Sequence, residues 1–318
     1  MNSVTPAVAQ QLQSMLWPAG TAAHTVAGIS WVLFIGAGLI FVTVMALLAW
    51  ALLRRVTPRP VHGKIWLWGG GVVFPVVVLV SLMFYTMQRA PGWLANAPPD
   101  ALFISITAHL WWWEVRYRDP VSGQDITLAN ELHLPVGRPV KLGLNSADVI
   151  HSFWVPALAG KRDLVPGRVN HLQVEATQAG VYRGQCAEFC GEQHARMALH
   201  VVASPSTEFD AWLAAQARPA AAANSALLHQ GQQAFMAQRC NACHAVRGVA
   251  ETSRLGPDLT HVGSRLYLAA GTLPNQRGNM AHWIADTQSV KPGARMPSSP
   301  ELDPATLNAL ASWLEHLK

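Results

Sequence analysis

The sequence predicts a membrane-anchored multidomain chain: a two-helix transmembrane hairpin, an all-β Greek-key domain and a small all-α domain. Three observations predict it. Of 318 residues, 51% are hydrophobic and 13% charged, where a soluble domain carries roughly 25% charged residues. Residues 102–202 hold short β-branched and aromatic runs broken by Pro, Gly and Asp. The four cysteines form two close pairs, Cys186/Cys190 and Cys240/Cys243, each with a histidine nearby. The composition excludes a disordered chain, which would be charge-rich and apolar-poor. The length suits about two domains plus a small membrane part.

The hairpin comes first. Residues 25–53 carry no Asp, Glu, Lys or Arg, and neither do residues 65–88. A membrane-spanning helix needs about 20 apolar residues, and helix satisfies the backbone in lipid. Pro75 is expected to kink the second span. The alternative is a pair of buried helices in a soluble protein. Arg54, Arg55, Arg59 and Lys64 fill the connecting segment, residues 54–64, without an acid among them. They carry most of the net charge of +5, so a basic nucleic-acid face has little support. The positive-inside rule puts this loop in the cytoplasm and both ends outside. That orientation makes residues 1–24 an external segment and residues 25–90 the anchor. The first residues lack the basic region of an ordinary signal peptide. A removed leader and a first helix serving as signal both stay open.

Residues 91–216 form the β domain. LFISITAHLWWWEVRY, PVKLGLN, HSFWVP, HLQVEAT and MALHVVA read as strands at the spacing of a sandwich or Greek-key barrel. Near its end stands CAEFCGEQHARM, with Cys186, Cys190, His194 and Met197, and His151 lies upstream in VIHSFWVP. Two thiols, two imidazoles and a thioether make a soft, copper-preferring donor set. The second cysteine suits two copper ions close together. Zinc is disfavoured by the three-residue cysteine spacing and by Met. A Cys186–Cys190 disulfide, plausible outside the cell, is the structural alternative.

Residues 217–225, ARPAAAANS, read as a small-residue linker. The all-α domain follows over residues 226–318. Cys240-Asn241-Ala242-Cys243-His244 has the C-x-x-C-H spacing of a covalent c-type haem site. The thiols would form thioethers, and His244 would be the proximal iron ligand. A thioredoxin-like reading needs a βαβ context that is missing. For the second axial position Met296, in the Pro/Gly-rich loop KPGARMPSSP, is favoured over Met280, which lies at a helix start. His261 reads as part of a segment packing on the haem edge. DPATLNALASWLEHLK closes the chain as a helix capped by Asp303. Covalent haem would supply apolar surface that so small a domain lacks.

The hairpin, AHLWWWEVRY, VIHSFWVP, KRDLVPGR and CAEFCGEQHARM, in this order over about residues 25–215, resemble subunit II of cytochrome c oxidase. Residues 226–318 resemble a class I cytochrome c, which makes the whole similar to the caa-type oxidases. The resemblance implies a cupredoxin fold holding a binuclear CuA centre. Cys186 and Cys190 would bridge the coppers, His151 and His194 would bind one each, and Met197 would be a weak ligand. Glu188 would bind copper through its carbonyl and face a Mg²⁺ at the boundary with subunit I. Trp111 matches the tryptophan where electrons enter. The bland reading, core and membrane-interface aromatics, fits Trp113 better. His109, His133, His171 and His200 match no ligand motif.

In one respect the chain departs from the family. Many members carry an acid before the second span, where this chain reads VHGKIW with His62 and Lys64. The proton-channel role of that acid is therefore not carried over.

The expected function is subunit II of a terminal oxidase that reduces oxygen to water coupled to proton pumping. Its oxygen-reducing site would lie in subunit I, because this chain has no intramembrane histidines to form it. Expected partners are subunit I, subunit III, a soluble or membrane cytochrome c donor and the lipid bilayer, with no nucleic acid. The expected location is the bacterial inner (plasma) membrane, with both soluble domains on the periplasmic or outer face. A quinol oxidase subunit II would lack the copper ligands. A nitrous oxide reductase would need a further propeller domain. A copper carrier for assembly would have no use for a covalent haem.

Overall fold

The computed structural model describes residues 13–53, 62–89, 98, 101–253 and 255–318. Arg54, Arg55 and Arg59, which carry the orientation argument, lie outside the described residues. The chain divides into two compact units, His24–Asn96 and the remainder.

The smaller unit is built from two long apolar helices, α1 (Thr21–Leu53, mean hydropathy 2.7) and α2 (Gly63–Arg89, mean hydropathy 2.2). At about 1.5 Å per residue each is long enough to cross a bilayer. Beyond Ala23 and Ala27 at the start of α1, their apolar side chains are not buried inside the protein: Phe34, Leu39, Phe41, Trp66, Leu67 and Phe84 are all exposed. Such exposure is consistent with membrane anchoring. Just ahead of Pro75 the second helix departs from regular α winding. The helix is π-wound over Trp66–Val73, and regular α-helix resumes at Phe74. The wide turns fall where proline removes a donor and crowds the preceding turn.

The larger unit opens with a β-sandwich. One sheet orders its strands as β3 (Asp125–Ala129), β2 (Trp112–Arg118), β1 (Leu102–His109), β5 (Val140–Ser146) and β8 (Asn170–Val174). The other runs β4 (Glu131–Pro135), β10 (Ala198–Ser204), β9 (Gly180–Cys186), β6 (His151–Trp154) and β7 (Arg162–Leu164). Parallel pairing of β1 with β5 and of β4 with β10 crosses the chain over, as in Greek-key folds. Alternation selects the inward residues. Ile104, Ile106 and Ala108 on β1 meet Trp113, Val115 and Tyr117 on β2 in the core. Each large apolar side chain buried there contributes roughly 1.5–3 kcal/mol. Trp113 is fully buried, as the bland reading expected, whereas Trp112 stacks on His109 with ring centres 4.3 Å apart.

Helix α3 (Ser206–Gln216) closes the sandwich, with Phe209 and Leu213 buried. The helical part then forms around α4 (Ala226–Ala237), α5 (Arg277–Ala285), α6 (Thr287–Val290) and α7 (Pro304–His316). Ser225 caps α4 by accepting from Leu228 N, and Asp303 caps α7 by accepting from Ala305 N and Thr306 N. Phe235, Met280, Leu310, Trp313 and Leu317 make the core. Two short strands, β11 (Tyr267–Leu268) and β12 (Leu273–Pro274), pair in the long loop between α4 and α5.

Candidate metal centres

Strand pairing assembles the first centre. β6 and β9 are antiparallel, with Phe153 opposite Cys186. His151 therefore lies on the neighbouring strand, two residues from that register point. The chain leaves β9 at Cys186, loops through Cys190, makes a 3₁₀ turn at His194–Arg196 and reaches β10 after Met197.

Cys186 Sγ lies 3.8 Å from His151 Nδ1 and 3.7 Å from Cys190 Sγ. Cys190 Sγ lies 3.6 Å from His194 Nδ1 and 3.9 Å from Met197 Sδ. Cys186 Sγ also approaches the Glu188 carbonyl at 3.2 Å. Both cysteines are free, so the disulfide alternative does not hold. The donor atoms of His151, Cys186 and Cys190 all lie within 4.8 Å of one another. Two thiols at the centre, an imidazole at each end and a thioether alongside fit a pair of copper ions with bridging sulfurs. The thiols share a hydrogen bond, which holds Cys186 well below the ordinary thiol range and Cys190 well above it. Metal binding requires both thiols deprotonated, so it is coupled to proton release.

A residue not read from the sequence completes this centre. Asp148 Oδ1 lies 2.8 Å from His151 Nε2, and Asp148 Oδ2 accepts from Leu110 N at 2.8 Å. The imidazole Nε2–H is thereby tied down and Nδ1 is turned to the thiols. Burial opposes the charged form of His151, but the bonds to Asp148 and Cys186 raise its pKa above the ordinary value. The D-x-x-H spacing was visible in the sequence, but only the fold shows that it closes. Glu188 and Phe189 are exposed beside the site, Phe189 at 77%.

The second centre lies in the helical part. A 3₁₀ turn, Cys240–Ala242, follows Arg239, whose backbone is left-handed at φ 58°. Cys240 is half-buried and Cys243 exposed, and both are free thiols. His244 Nδ1 donates to the Pro257 carbonyl at 2.7 Å, leaving Nε2 as the metal-facing nitrogen. Burial lowers the pKa of His244, favouring the neutral form that binds metal. Gly256 lets the ring sit so close: a Cβ there would fall 2.8 Å from His244 Cε1. Free thiols at the attachment spacing beside a neutral, oriented imidazole fit a covalent haem. Met296 is half-buried against the helical core, whereas Met280 is only 2% exposed inside it. His261 Nε2 is engaged with the Arg218 carbonyl at 3.0 Å.

Trp111 stands between the two parts. Its Nε1 donates to the Cys190 carbonyl at 2.9 Å. Its ring lies against Gly191 of the copper loop on one side and Gly293 of the helical part on the other. A Cβ at Gly191 would be 3.2 Å from Trp111 Cζ2, and one at Gly293 would be 3.6 Å from Cη2. Both glycines have positive φ, +109° and +76°.

Known proteins bear on both centres. The periplasmic domain of cytochrome c oxidase subunit II matches residues 122–204, and cytochrome c matches residues 228–318. The chain is 37% identical over 267 residues to cytochrome c oxidase subunit 2 of Alkalihalophilus pseudofirmus, covering 82% of this chain and 76% of that relative. It is 32% identical over 288 residues to the Bacillus subtilis protein of the same name, covering 83% and 78%. The chain belongs to the cytochrome c oxidase subunit II family. The crystal structure of the periplasmic domain of subunit II from Bradyrhizobium japonicum is 30% identical and covers 38% of this chain and 97% of that one, at a TM-score of 0.35. This subunit II has a CuA-type site on its cupredoxin-like sandwich and a C-terminal c-type haem domain.

Proposed function

We propose that the chain acts as a two-centre electron conductor, taking electrons at its haem domain and delivering them through its copper loop to subunit I. The contacts of Trp111 support this reading most directly, since the indole touches the copper loop and the haem domain at once. Cys240 and Cys243 would anchor the haem, with His244 and Met296 as axial ligands. Cys186 and Cys190 would bridge two coppers, with His151 and His194 at the ends, Met197 as a weak ligand and Glu188 through its carbonyl. Bound there, the haem iron and the copper pair each accept and release one electron at a time.

The residues around these groups do the rest. Asp148 and Pro257 orient the imidazoles of His151 and His244, so little rearrangement accompanies each change of charge. Burial of His151, Cys186, Cys190 and Met197 keeps water from these four of the copper ligands. The exposed Glu188 and Phe189 offer a carboxylate and an apolar ring to a partner. This suits a Mg²⁺ held at the boundary with subunit I.

The two apolar helices anchor the chain, and the basic segment at 54–64 supports an outward-facing position for both soluble domains. The division at residues 217–225, a donor cytochrome c and contact with subunit III belong to the same reading.

Anaerobic reduction of the purified oxidase, followed optically, tests it. A c-type haem band and the near-infrared band of binuclear copper should both respond. Cys186→Ser should abolish the copper band and leave the haem band. A haem band without any copper band in the parent enzyme would refute the proposal.

A further inference from the structure

The seam between sandwich and haem domain is closed by polar contacts of an unusual kind. Lys291 follows α6, is 3% exposed, and lies where the two domains meet. Its Nζ donates to the carbonyls of Trp111 at 2.7 Å, Arg196 at 3.0 Å and Ala269 at 3.4 Å. An ammonium has three donors, and here all three are used. The first acceptor is the tryptophan between the centres, the second lies in the copper loop, and the third belongs to the haem domain. Among the described residues no carboxylate pairs with this buried amine. Burial pulls its pKa down to about 7, so keeping an amine here, hydrogen-bonded to three carbonyls, is costly unless its geometry is needed.

Neighbouring contacts follow the same line. Gln193 Nε2 donates to Pro292 O at 2.8 Å, and Arg196 Nη1 to Val290 O at 2.6 Å. Further along, Leu266 N donates to Glu131 Oε2 at 2.8 Å, and His200 stacks on Tyr267 at 4.1 Å. The linker is strapped down as well. Ala220 N donates to Arg247 O at 3.0 Å, while the Arg247 guanidinium donates back to the carbonyls of Gln216 and Ala217.

We infer that Lys291 is a positioning residue that locks the haem domain onto Trp111 and the copper loop, so that electrons cross a fixed seam and not a swinging tether. The transfer it serves moves one electron from ferrous iron to the oxidised copper pair. It leaves ferric iron and a copper pair one electron richer, with no bond made or broken. This inference rests on the electron route proposed above.

The test is Lys291→Met in the purified oxidase, which keeps the stem and removes the donors. Amide hydrogen exchange should rise at residues 266–271 and 290–293 and stay unchanged in β1, β2, α4 and α7. The one-electron transfer from haem to copper, triggered by a light pulse, should slow at least tenfold with both optical bands intact. In the parent enzyme that rate should hold from low to high salt, because buried contacts escape screening. Unchanged exchange and an unchanged rate in the variant would overturn the role of Lys291. A parent rate that falls with added salt would overturn the fixed seam. Loss of either band in the parent enzyme would instead fault the underlying route.

Discussion

Asp148 shows what a single side chain adds to a ligand. It spends one carboxylate oxygen on His151 Nε2 and the other on the backbone at Leu110. The copper-facing nitrogen is therefore aimed before any metal arrives. Outer partners of this kind are worth roughly 10–100-fold in metal affinity. Asp148→Asn keeps the shape and removes the charge, so copper should be lost to a competing chelator at roughly 10–100-fold lower chelator concentration. An unchanged competition curve would show that Asp148 only shapes the loop. The ligand candidates were legible because Cys186, Cys190, His194 and Met197 crowd into one short loop of characteristic donors. His151 was legible through its own short motif. Asp148 and Lys291 were not, because each acquires its meaning only from carbonyls or imidazoles that the fold brings near. Trp111 falls between these cases: its motif stood out, but its contact with Gly293 joins residues far apart in the chain.

The helices and strands repeat that contrast one level up. Period-two alternation marked β1 and β2, and two uncharged runs marked α1 and α2, since burial and lipid both select residue types locally. At Pro75 the sequence led to the expectation of a kink, and the winding it could not show is the run of π-turns over Trp66–Val73 just ahead of it. Nothing in the spacing of apolar residues distinguishes those two responses.

The crossing of α4 and α7 was equally hidden, although it organises the haem domain. Gly231 allows it. A Cβ there would stand 2.1 Å from Ala309 O and 2.6 Å from Trp313 Cβ. Alanine in a helix ordinarily gains about 1 kcal/mol over glycine. Here the collision is with backbone, and overpacking of that sort costs about 1–3 kcal/mol. Gly231→Ala should therefore lower the unfolding temperature of the haem domain and leave the copper band of the sandwich in place. A raised unfolding temperature would mean the helices separate easily and the crossing is loose.

At the scale of the whole molecule, covalent order and physical docking say related but different things. A tether alone raises the local concentration of donor beside acceptor. The larger unit goes further, since Lys291, Glu131 and the strapped linker hold the haem domain against the copper loop. The composition of residues 217–225, Ala-rich and nearly uncharged, marked a linker and nothing of what holds it. Its restraint comes from Arg247 and His316, which donate to the carbonyls of Ala217 and Ala222 from distant parts of the haem domain. The family, the two metal centres and the anchor were thus readable from motifs in order. The seam that joins the centres was not, because it is made by carbonyl groups that every residue possesses. The most direct measurement of the electron route delivers one electron to the haem of the fully oxidised enzyme and records the haem and near-infrared copper bands together. The haem signal should decay as the copper band bleaches, with one shared rate constant independent of protein concentration. A haem that stays reduced while the copper band is unmoved would contradict the route through Trp111.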